Sequence, residues 1–377
     1  MGFDEIASPL WRQFRDQFPV TNNLIYLNHA AVAPLPRSCA DAMRGLAGDA
    51  MEYGSLHYDQ WLDAYEGLRV AAARLIGADR HEIAMIKNTS EGIATVAMGM
   101  DWRPGDKIVA FREEFPANYY PWLRLGSERC TIVWLSVTDS LDTIDRACHG
   151  AKLLAISFVQ YLSGLRVDLN AIGEICQRRG CFFFVDAIQG LGAFPLDVRA
   201  ARIDALAADG HKWMLGPEGC GILYVRKESQ DWVFPMEFGW TNVAGYNDYA
   251  SRDMTLRADA GRYECGTLNT IGCFGLRASI ELILEAGVER IGPVVQDLAG
   301  QLAEGALRKG YQLLGDRTAE NGSGIIALNK PGVDSRKIVR DLKDRGIVAA
   351  PRQGFVRFSP HFYISPEDIE RVVHELP

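Results

Sequence analysis

Residues 204–226 read Asp204-Ala-Leu-Ala-Ala-Asp-Gly-His-Lys-Trp-Met-Leu-Gly-Pro-Glu-Gly-Cys-Gly-Ile-Leu-Tyr-Val-Arg226 and hold a lysine between two apolar segments. The first segment ends in Asp209-Gly-His-Lys212, and a glycine- and proline-rich turn leads to a strand pattern at 221–225. Lysine is seldom buried without a partner, and burial lowers the pKa of its amine. A neutral lysine is nucleophilic and forms Schiff bases with carbonyl compounds. The alternative is a lysine on a solvated loop, the more common situation for a lone lysine.

A second polar residue interrupts an apolar run upstream, in Cys181-Phe-Phe-Phe-Val-Asp186. This pattern predicts a buried parallel strand with Asp186 at its carboxyl end, where open α/β sheets bind ligands. An aspartate there can also be a simple loop cap. Together, Lys212 and Asp186 are the two groups that a pyridoxal phosphate (PLP) site requires. The lysine holds the aldehyde, and the carboxylate keeps the pyridine nitrogen protonated.

Strand-like runs alternate with helical patterns through the first two thirds of the chain. This βαβ rhythm predicts an α/β fold with a mainly parallel sheet covered on both faces. The predicted strands lie at 107–111, 131–135, 152–159, 181–185, 205–208 and 221–225.

With these motifs in this order, the chain resembles the class V group of fold-type I PLP enzymes, the aminotransferase and cysteine desulfurase superfamily. It is most similar in its motifs to relatives of isopenicillin N epimerase. The resemblance implies a large domain with a seven-stranded sheet and a smaller α+β C-terminal domain. We therefore predict an N-terminal helix at 1–20 that packs with the small domain, a large PLP-binding domain at 21–257 and the small domain at 258–377.

A predicted helix start follows the strand at 83. Asn88-Thr-Ser-Glu91 has the capping-box pattern, and the free N–H groups of a helix start attract anions. Capped helices are common, so this signal is weak by itself. In the family the same place holds the cofactor phosphate, which implies that role for Thr89 and Ser90.

Other cofactor contacts follow from the resemblance. Phe115, in Glu114-Phe-Pro-Ala-Asn118, occupies the position that stacks on the pyridine ring, where many relatives carry histidine. Gln160 is placed to reach the phenolic oxygen of PLP. Thr267 corresponds to a threonine that contacts the phosphate of the neighbouring subunit, which implies a homodimer with shared active sites. The alternative for Phe115 is an ordinary core phenylalanine.

A carboxylate near a phosphate is unfavourable unless it turns away or accepts hydrogen bonds. Many class V members have serine or threonine where this chain has Asp209. We therefore assign the phosphate-side role to His211 rather than to Asp209.

Substrate contacts are also implied by the resemblance. Asn28 and His29 lie in a segment that lines the mouth of the family's active site, although a turn rich in small residues is an equal interpretation. Arg357, in Val356-Arg-Phe-Ser359, matches the arginine that binds the substrate α-carboxylate. A planar guanidinium suits a carboxylate, but a structural ion pair is the alternative, and Arg352 is a competing candidate.

Composition excludes several classes of partner. The 377 residues carry a net charge of -8 and no long basic block, which argues against nucleic acid or an anionic membrane as the main partner. We predict a free amino acid, a small molecule, as the substrate, and the sequence does not reveal its side chain. The eight cysteines form no C-x-x-C pair and fit buried reduced thiols, so no metal site is predicted. No signal peptide or membrane-spanning stretch is evident, and a cytoplasmic location is expected.

The reaction catalysed is the least determined feature. Aminotransferase is the broadest description, and an epimerase or a β-eliminating C–S lyase is the alternative. The segment 346–357 lacks the nucleophilic cysteine that desulfurases of this superfamily use, so sulfur transfer through a persulfide is not expected. A non-catalytic PLP-fold binding protein is a distant alternative, since it would be expected to lose Lys212 or Asp186.

Overall fold

The computed structural model describes residues 8–377. The strands are β1 (Ile25–Tyr26), β2 (Ile83–Ile86), β3 (Lys107–Phe111), β4 (Thr131–Leu135), β5 (Leu153–Ser157), β6 (Phe182–Asp186), β7 (Ala205–Asp209), β8 (Gly221–Val225), β9 (Gln312–Leu313), β10 (Ile326–Asn329), β11 (Ile347–Val348), β12 (Ala350–Arg352) and β13 (Phe355–Phe358). Seven of them form the central sheet in the order β2-β8-β7-β6-β5-β3-β4. Only β8 runs antiparallel to its two neighbours, so the predicted mainly parallel seven-stranded sheet is confirmed.

Both faces of this sheet are buried, which explains the nearly continuous apolar strand sequences. Successive side chains alternate between two hydrophobic clusters. In β6, for example, Phe183 and Val185 belong to one cluster, and Phe182 and Phe184 belong to the other.

Helices cover the sheet and build the rest of the molecule. They are α1 (Leu10–Phe14), α2 (Arg37–Tyr53), α3 (Tyr58–Ile76), α4 (Thr89–Gly99), α5 (Tyr120–Glu128), α6 (Leu141–Cys148), α7 (Leu169–Arg179), α8 (Thr270–Ala286), α9 (Val288–Arg308), α10 (Ser335–Lys343) and α11 (Pro366–Glu375). Helix α11 was not predicted, although Ser365 and Asp368 form a capping box with proline at the first turn, a recognisable start signal. In the described part of the chain, no helix is long and apolar enough to cross a membrane.

The N-terminal helix is shorter than predicted. Residues 1–7 of the predicted helix lie outside the described residues, and α1 covers only Leu10–Phe14 before two short 3-10 turns. Phe18 leaves the helical conformation, with φ -121° and ψ 74°, because the residue before a proline is disfavoured there. The ring of Phe18 stacks on Tyr363 with a centroid distance of 3.7 Å, and Phe14 packs edge-on against Phe362.

The C-terminal part contains a four-stranded antiparallel sheet in the order β12-β13-β10-β9. Strand β1 pairs in parallel with β11, and Asn28 forms a bridge with Ser359, so the N-terminal segment joins the C-terminal part as far as residue 28. Helix α8 packs against α2 and α3. The domain boundaries near 20 and 257 stay predictions.

Candidate active site

A cavity of about 340 Å³ opens at the carboxyl edge of the central sheet, where β6 and β7 end. The β12–β13 hairpin contributes its opposite side through Arg352 and Arg357. A larger hollow of about 770 Å³ elsewhere, lined in part by Arg166 and Asp197, contains none of the predicted site residues. The smaller cavity is therefore the candidate site. The predicted residues that line it are Thr89, Ser90, Phe115, Asp186, His211, Lys212 and Arg357.

Lys212 and Asp186 face this cavity together. Burial lowers the pKa of Lys212 to about 8, although Asp186 opposes that shift. Burial also raises the pKa of Asp186 to about 6, and its Oδ1 accepts a hydrogen bond of 3.1 Å from the Ile188 N–H. Asp186 forms no salt bridge with any residue between 8 and 377. The site thus combines a readily deprotonated amine with a buried carboxylate that lacks a bonded cation.

The start of α4 forms one corner of the cavity. Asn88 caps the helix by accepting the Glu91 N–H at 2.9 Å, and Thr89 and Ser90 follow. The predicted capping box is not closed, because the Glu91 carboxylate accepts the N–H of Lys87 instead of that of Asn88. The corner keeps its free N–H groups and its positive end of the helix dipole, which favour an anion.

Asp209 lies in the same corner, and its carboxylate does not turn fully away from the start of α4. Its Oδ2 is 2.9 Å from His211 Nδ1, and its backbone N–H donates to the Thr89 hydroxyl at 2.9 Å. Its Oδ1 is buried and has no hydrogen-bond partner among the residues described. Asp209 therefore keeps one carboxylate oxygen against His211 and leaves the other without a hydrogen bond in the described structure.

Phe115 presents its ring to the cavity, with 47% of the residue exposed. The Lys212 Nζ lies 5.7 Å from the centroid of this ring. Tyr161 holds Phe115 edge-on at 5.3 Å, and its hydroxyl accepts a 2.7 Å hydrogen bond from Gln353 of the hairpin. The exposed ring is a free stacking surface beside the lysine, unlike an ordinary core phenylalanine.

Arg357 is only 2% exposed, yet it has no carboxylate partner within the described chain. One of its terminal nitrogens donates to the Tyr161 carbonyl at 2.7 Å, and its Nε is buried without a hydrogen bond. Burial and the nearby Arg352 lower its pKa to about 10, so it stays charged at neutral pH. A buried, incompletely bonded guanidinium on a cavity wall is costly unless a ligand completes its contacts. Arg352, by contrast, is exposed.

Asn28 and His29 do not line the cavity. The His29 ring is fully buried, with Nδ1 2.7 Å from the Ser359 carbonyl and Nε2 2.6 Å from the Tyr363 hydroxyl. Burial holds the pKa of His29 well below its usual value. Because both ring nitrogens are already bonded, we no longer assign His29 to the substrate. The pairing of Asn28 with Ser359 likewise turns this segment towards the C-terminal part.

Gln160 is also buried behind the cavity wall. Its Nε2 donates to Glu114 at 3.1 Å, and its Oε1 has no partner in the described structure. Glu114 accepts from the Ser157 backbone at 2.7 Å, and burial raises its pKa to about 7. Sequence reasoning assigned no role to Glu114 or to Tyr161, although both lie inside motifs that were recognised.

Thr267 is exposed and borders a separate hollow with Lys87 and Gly219. Thr267 does not reach the cavity of its own chain. This is a condition for the predicted contact with the phosphate in a neighbouring subunit.

The profile of the family described as aminotransferase class-V matches residues 25–372. The chain belongs to this class V family. A protein named "Probable cysteine desulfurase" from Pyrococcus abyssi is 30% identical over 94% of this chain and 94% of its own length. An "Uncharacterized aminotransferase YcbU" from Bacillus subtilis is 28% identical over 97% and 96%. The apo structure of a cysteine desulfurase from Thermococcus onnurineus superposes with a TM-score of 0.88 at 27% identity, covering 99% of this chain and 98% of that one.

This class V enzyme uses pyridoxal 5'-phosphate, the cofactor that we predicted from Lys212 and Asp186. The cavity fits this group in three respects. It offers a neutralisable lysine amine, a buried carboxylate without a bonded cation and a helix start suited to an anion. The orphaned Arg357 Nε points to a second, anionic ligand beside the cofactor.

Proposed function

We propose that the protein is a PLP-dependent C–S lyase that acts on a free, sulfur-containing amino acid and transfers no sulfur to its own cysteines. The buried, unpaired Arg357 beside Lys212 carries the free-amino-acid part of the proposal, because an α-carboxylate completes the contacts of its guanidinium. The desulfurase names of several relatives support cleavage at sulfur.

The cysteines argue against a persulfide on the protein. None of the described cysteines lines the cavity, seven of the eight are buried, and only Cys265 is partly exposed. The β12–β13 hairpin turns through Gln353 and Gly354, both with positive φ, and leaves no room in its two-residue turn for a mobile cysteine loop. Sulfur therefore leaves as a small molecule.

Bound PLP withdraws electrons from the α-carbon of the attached amino acid. Around it, we assign Asp186 to hold the proton of the pyridine nitrogen and Phe115 to cover the ring. Thr89, Ser90 and His211 bind the phosphate. Gln160 supports the phenolic side through the wall that it shares with Glu114.

The substrate side uses two residues. Arg357 fixes the α-carboxylate and so orients the α-carbon. Lys212, whose pKa burial lowers to about 8, would accept the α-proton as a neutral amine. The Cβ–S bond then breaks, and its electron pair leaves with sulfur. With cysteine as the substrate, addition of water then gives pyruvate, ammonium and hydrogen sulfide.

We further propose a homodimer in which Thr267 completes the partner's phosphate site. Thr267 is exposed beside Gly266, whose Cα faces the Trp240 ring. Trp232, Phe234, Phe238 and Trp240 are all large, exposed apolar residues in this region. Such a surface is suited to a protein interface.

The reaction is tested by product analysis of the PLP-loaded enzyme with L-cysteine. We expect equal amounts of hydrogen sulfide and pyruvate without any added acceptor, and an unchanged rate in Cys265→Ser. Alanine in place of pyruvate, with a requirement for a thiol, would identify a desulfurase instead.

Aminotransfer is the second candidate, favoured by the name of the Bacillus relative. In that case the 2-oxo acid would retain its sulfur and the reaction would require an amino acceptor. The relatives described above carry desulfurase and aminotransferase names, so the epimerase alternative has no support.

Arg357→Lys is expected to weaken binding of an accepted amino acid. Lysine keeps the charge but cannot form the two-pronged contact, and a lost hydrogen bond to a charged group costs about 1.5–3 kcal/mol, roughly ten- to a hundredfold in affinity. The cofactor absorbance should report this loss in a titration with the amino acid and show none with its decarboxylated amine.

Arg352→Lys is the matched control, because Arg352 lines the same cavity but is exposed. We expect it to change little. Loss of affinity in Arg352→Lys alone would move the carboxylate contact to Arg352 and leave Arg357 as a structural residue.

A further inference from the structure

Three cysteines that are scattered in sequence meet at one point in the large domain. Cys148 ends α6, Cys176 lies in the last turns of α7, and Cys181 directly precedes β6. Their Sγ atoms all lie within 4.8 Å of one another, and all three side chains are buried. The spacing along the chain matches no metal motif, which is why the sequence predicted only separate buried thiols.

The arrangement fits a three-coordinate metal. With metal–sulfur bonds of about 2.3 Å, the sulfurs of a planar three-coordinate site lie about 4.0 Å apart. The observed upper limit of 4.8 Å is within reach of small side-chain rotations. Zinc prefers four ligands in structural sites, and no fourth histidine, cysteine or carboxylate joins this group among residues 8–377. Soft thiolate ligands select monovalent copper.

One carboxylate lies near the cluster, because Asp145 precedes Cys148 by three residues on α6. The Asp145 carboxylate is bonded to both Arg178 and Arg179. Asp145 is therefore occupied as an ion-pair partner and is not free to act as a fourth ligand.

We propose that Cys148, Cys176 and Cys181 form a trigonal thiolate site for a soft monovalent cation, Cu(I). Binding releases thiol protons to solvent and leaves the oxidation states of sulfur and copper unchanged. Cys181 directly precedes β6 and Asp186 ends it, so the site lies about 17 Å from the cofactor cavity at the strand rise of about 3.3 Å per residue. The proposal therefore does not rest on the proposed function. By joining α6, α7 and β6, the metal stabilises the large domain.

A second sulfur group provides a matched control. Cys220 and Cys273 have their Sγ atoms 3.8 Å apart, and Met85 Sδ lies 3.5 Å from Cys273. Both of these cysteines are buried, like those of the proposed site. Cys220→Ser therefore removes a buried thiol with a close sulfur neighbour without touching the trigonal site.

The test titrates the reduced, PLP-loaded protein with Cu(I) under anaerobic conditions against a chromophoric Cu(I) chelator. We expect one tightly held copper per chain in the wild type and in Cys220→Ser. Cys148→Ser and Cys176→Ser should lose at least tenfold in affinity while keeping the cofactor absorbance of the folded enzyme. Copper should also raise the melting temperature of the wild type but not of these two variants.

Unchanged Cu(I) affinity in folded Cys148→Ser, or a loss confined to Cys220→Ser, would overturn the proposal. If a cluster variant does not fold, X-ray absorption of the copper-loaded wild type decides. Three sulfur neighbours at about 2.3 Å support the site. A copper with only two sulfurs, or less than one copper per chain, contradicts it.

Discussion

Lys212→Ala is expected to give a folded protein that carries no cofactor reducible by borohydride and has no measurable turnover. Lys212 is the only lysine that lines the cavity in the described chain, and it lies beside Asp186 and Phe115. Alanine removes both the covalent attachment point and the proposed acceptor of the α-proton. The measurement is mass spectrometry of the reduced protein together with the product assay, with circular dichroism to confirm folding.

Lys337→Ala is the control, since Lys337 is an exposed lysine on α10 that pairs with Asp341 at 2.7 Å. It should retain the adduct and the full rate. A reducible adduct and normal turnover in Lys212→Ala would show that another amine holds the cofactor.

The pH dependence of cofactor attachment separates Lys212 from an exposed lysine. Only the neutral amine attacks the aldehyde, and burial lowers the pKa of Lys212 to about 8. The rate at which cofactor-free protein takes up PLP should therefore rise with pH and level off above about 8. For an exposed lysine it would continue to rise towards the usual value near 10.4.

The large sheet could be predicted because its strands are buried on both faces and so appear as short apolar runs. Strands β3, β4 and β8 have the predicted limits, and β5, β6 and β7 differ by one or two residues at their ends. Asp186 and Lys212 were found for a related reason. Asp186 ends the apolar run of β6, Lys212 lies three residues after the end of β7, and the ends of neighbouring parallel strands meet at one edge.

The direction in which a side chain points was harder to predict than which segments lie near the cavity. His29 lies one residue before Ala30, which does line the cavity, but its ring turns inward to Ser359 and Tyr363. That orientation depends on the pairing of residue 28 with residue 359, which no local pattern reveals. The close approach of Cys148, Cys176 and Cys181 likewise depends on long-range packing that no local pattern reveals.

Only the structure shows that Arg357 has no ion-pair partner among the described residues. Its apolar neighbours indicated burial, but sequence could not distinguish a carboxylate-binding arginine from a structural ion pair. The described residues provide no carboxylate for it and leave its Nε without a partner. The absence of a bonded anion in a buried site is what favours a ligand role.

Asp186→Asn is expected to fold normally and to lower kcat by about 100- to 1000-fold, the effect of removing one preorganised electrostatic contact to a transition state. The amide has nearly the same shape and can still accept the Ile188 N–H, which the aspartate accepts at 3.1 Å. What it lacks is the negative charge that favours a protonated pyridine nitrogen. PLP should therefore remain attached while the chemical step slows.

Asp204→Asn separates this effect from the general loss of a buried carboxylate. Burial raises the pKa of Asp204 as it does that of Asp186, but Asp204 precedes β7 at the opposite edge of the sheet and accepts the Phe183 N–H at 2.8 Å. Its variant should lose stability without losing kcat in the folded fraction. An unchanged kcat in Asp186→Asn, with the native cofactor spectrum, would reduce Asp186 to a cap for the turn at Ile188. A fall in kcat with KM unchanged would place its charge in the chemical step, apart from the carboxylate contact proposed for Arg357.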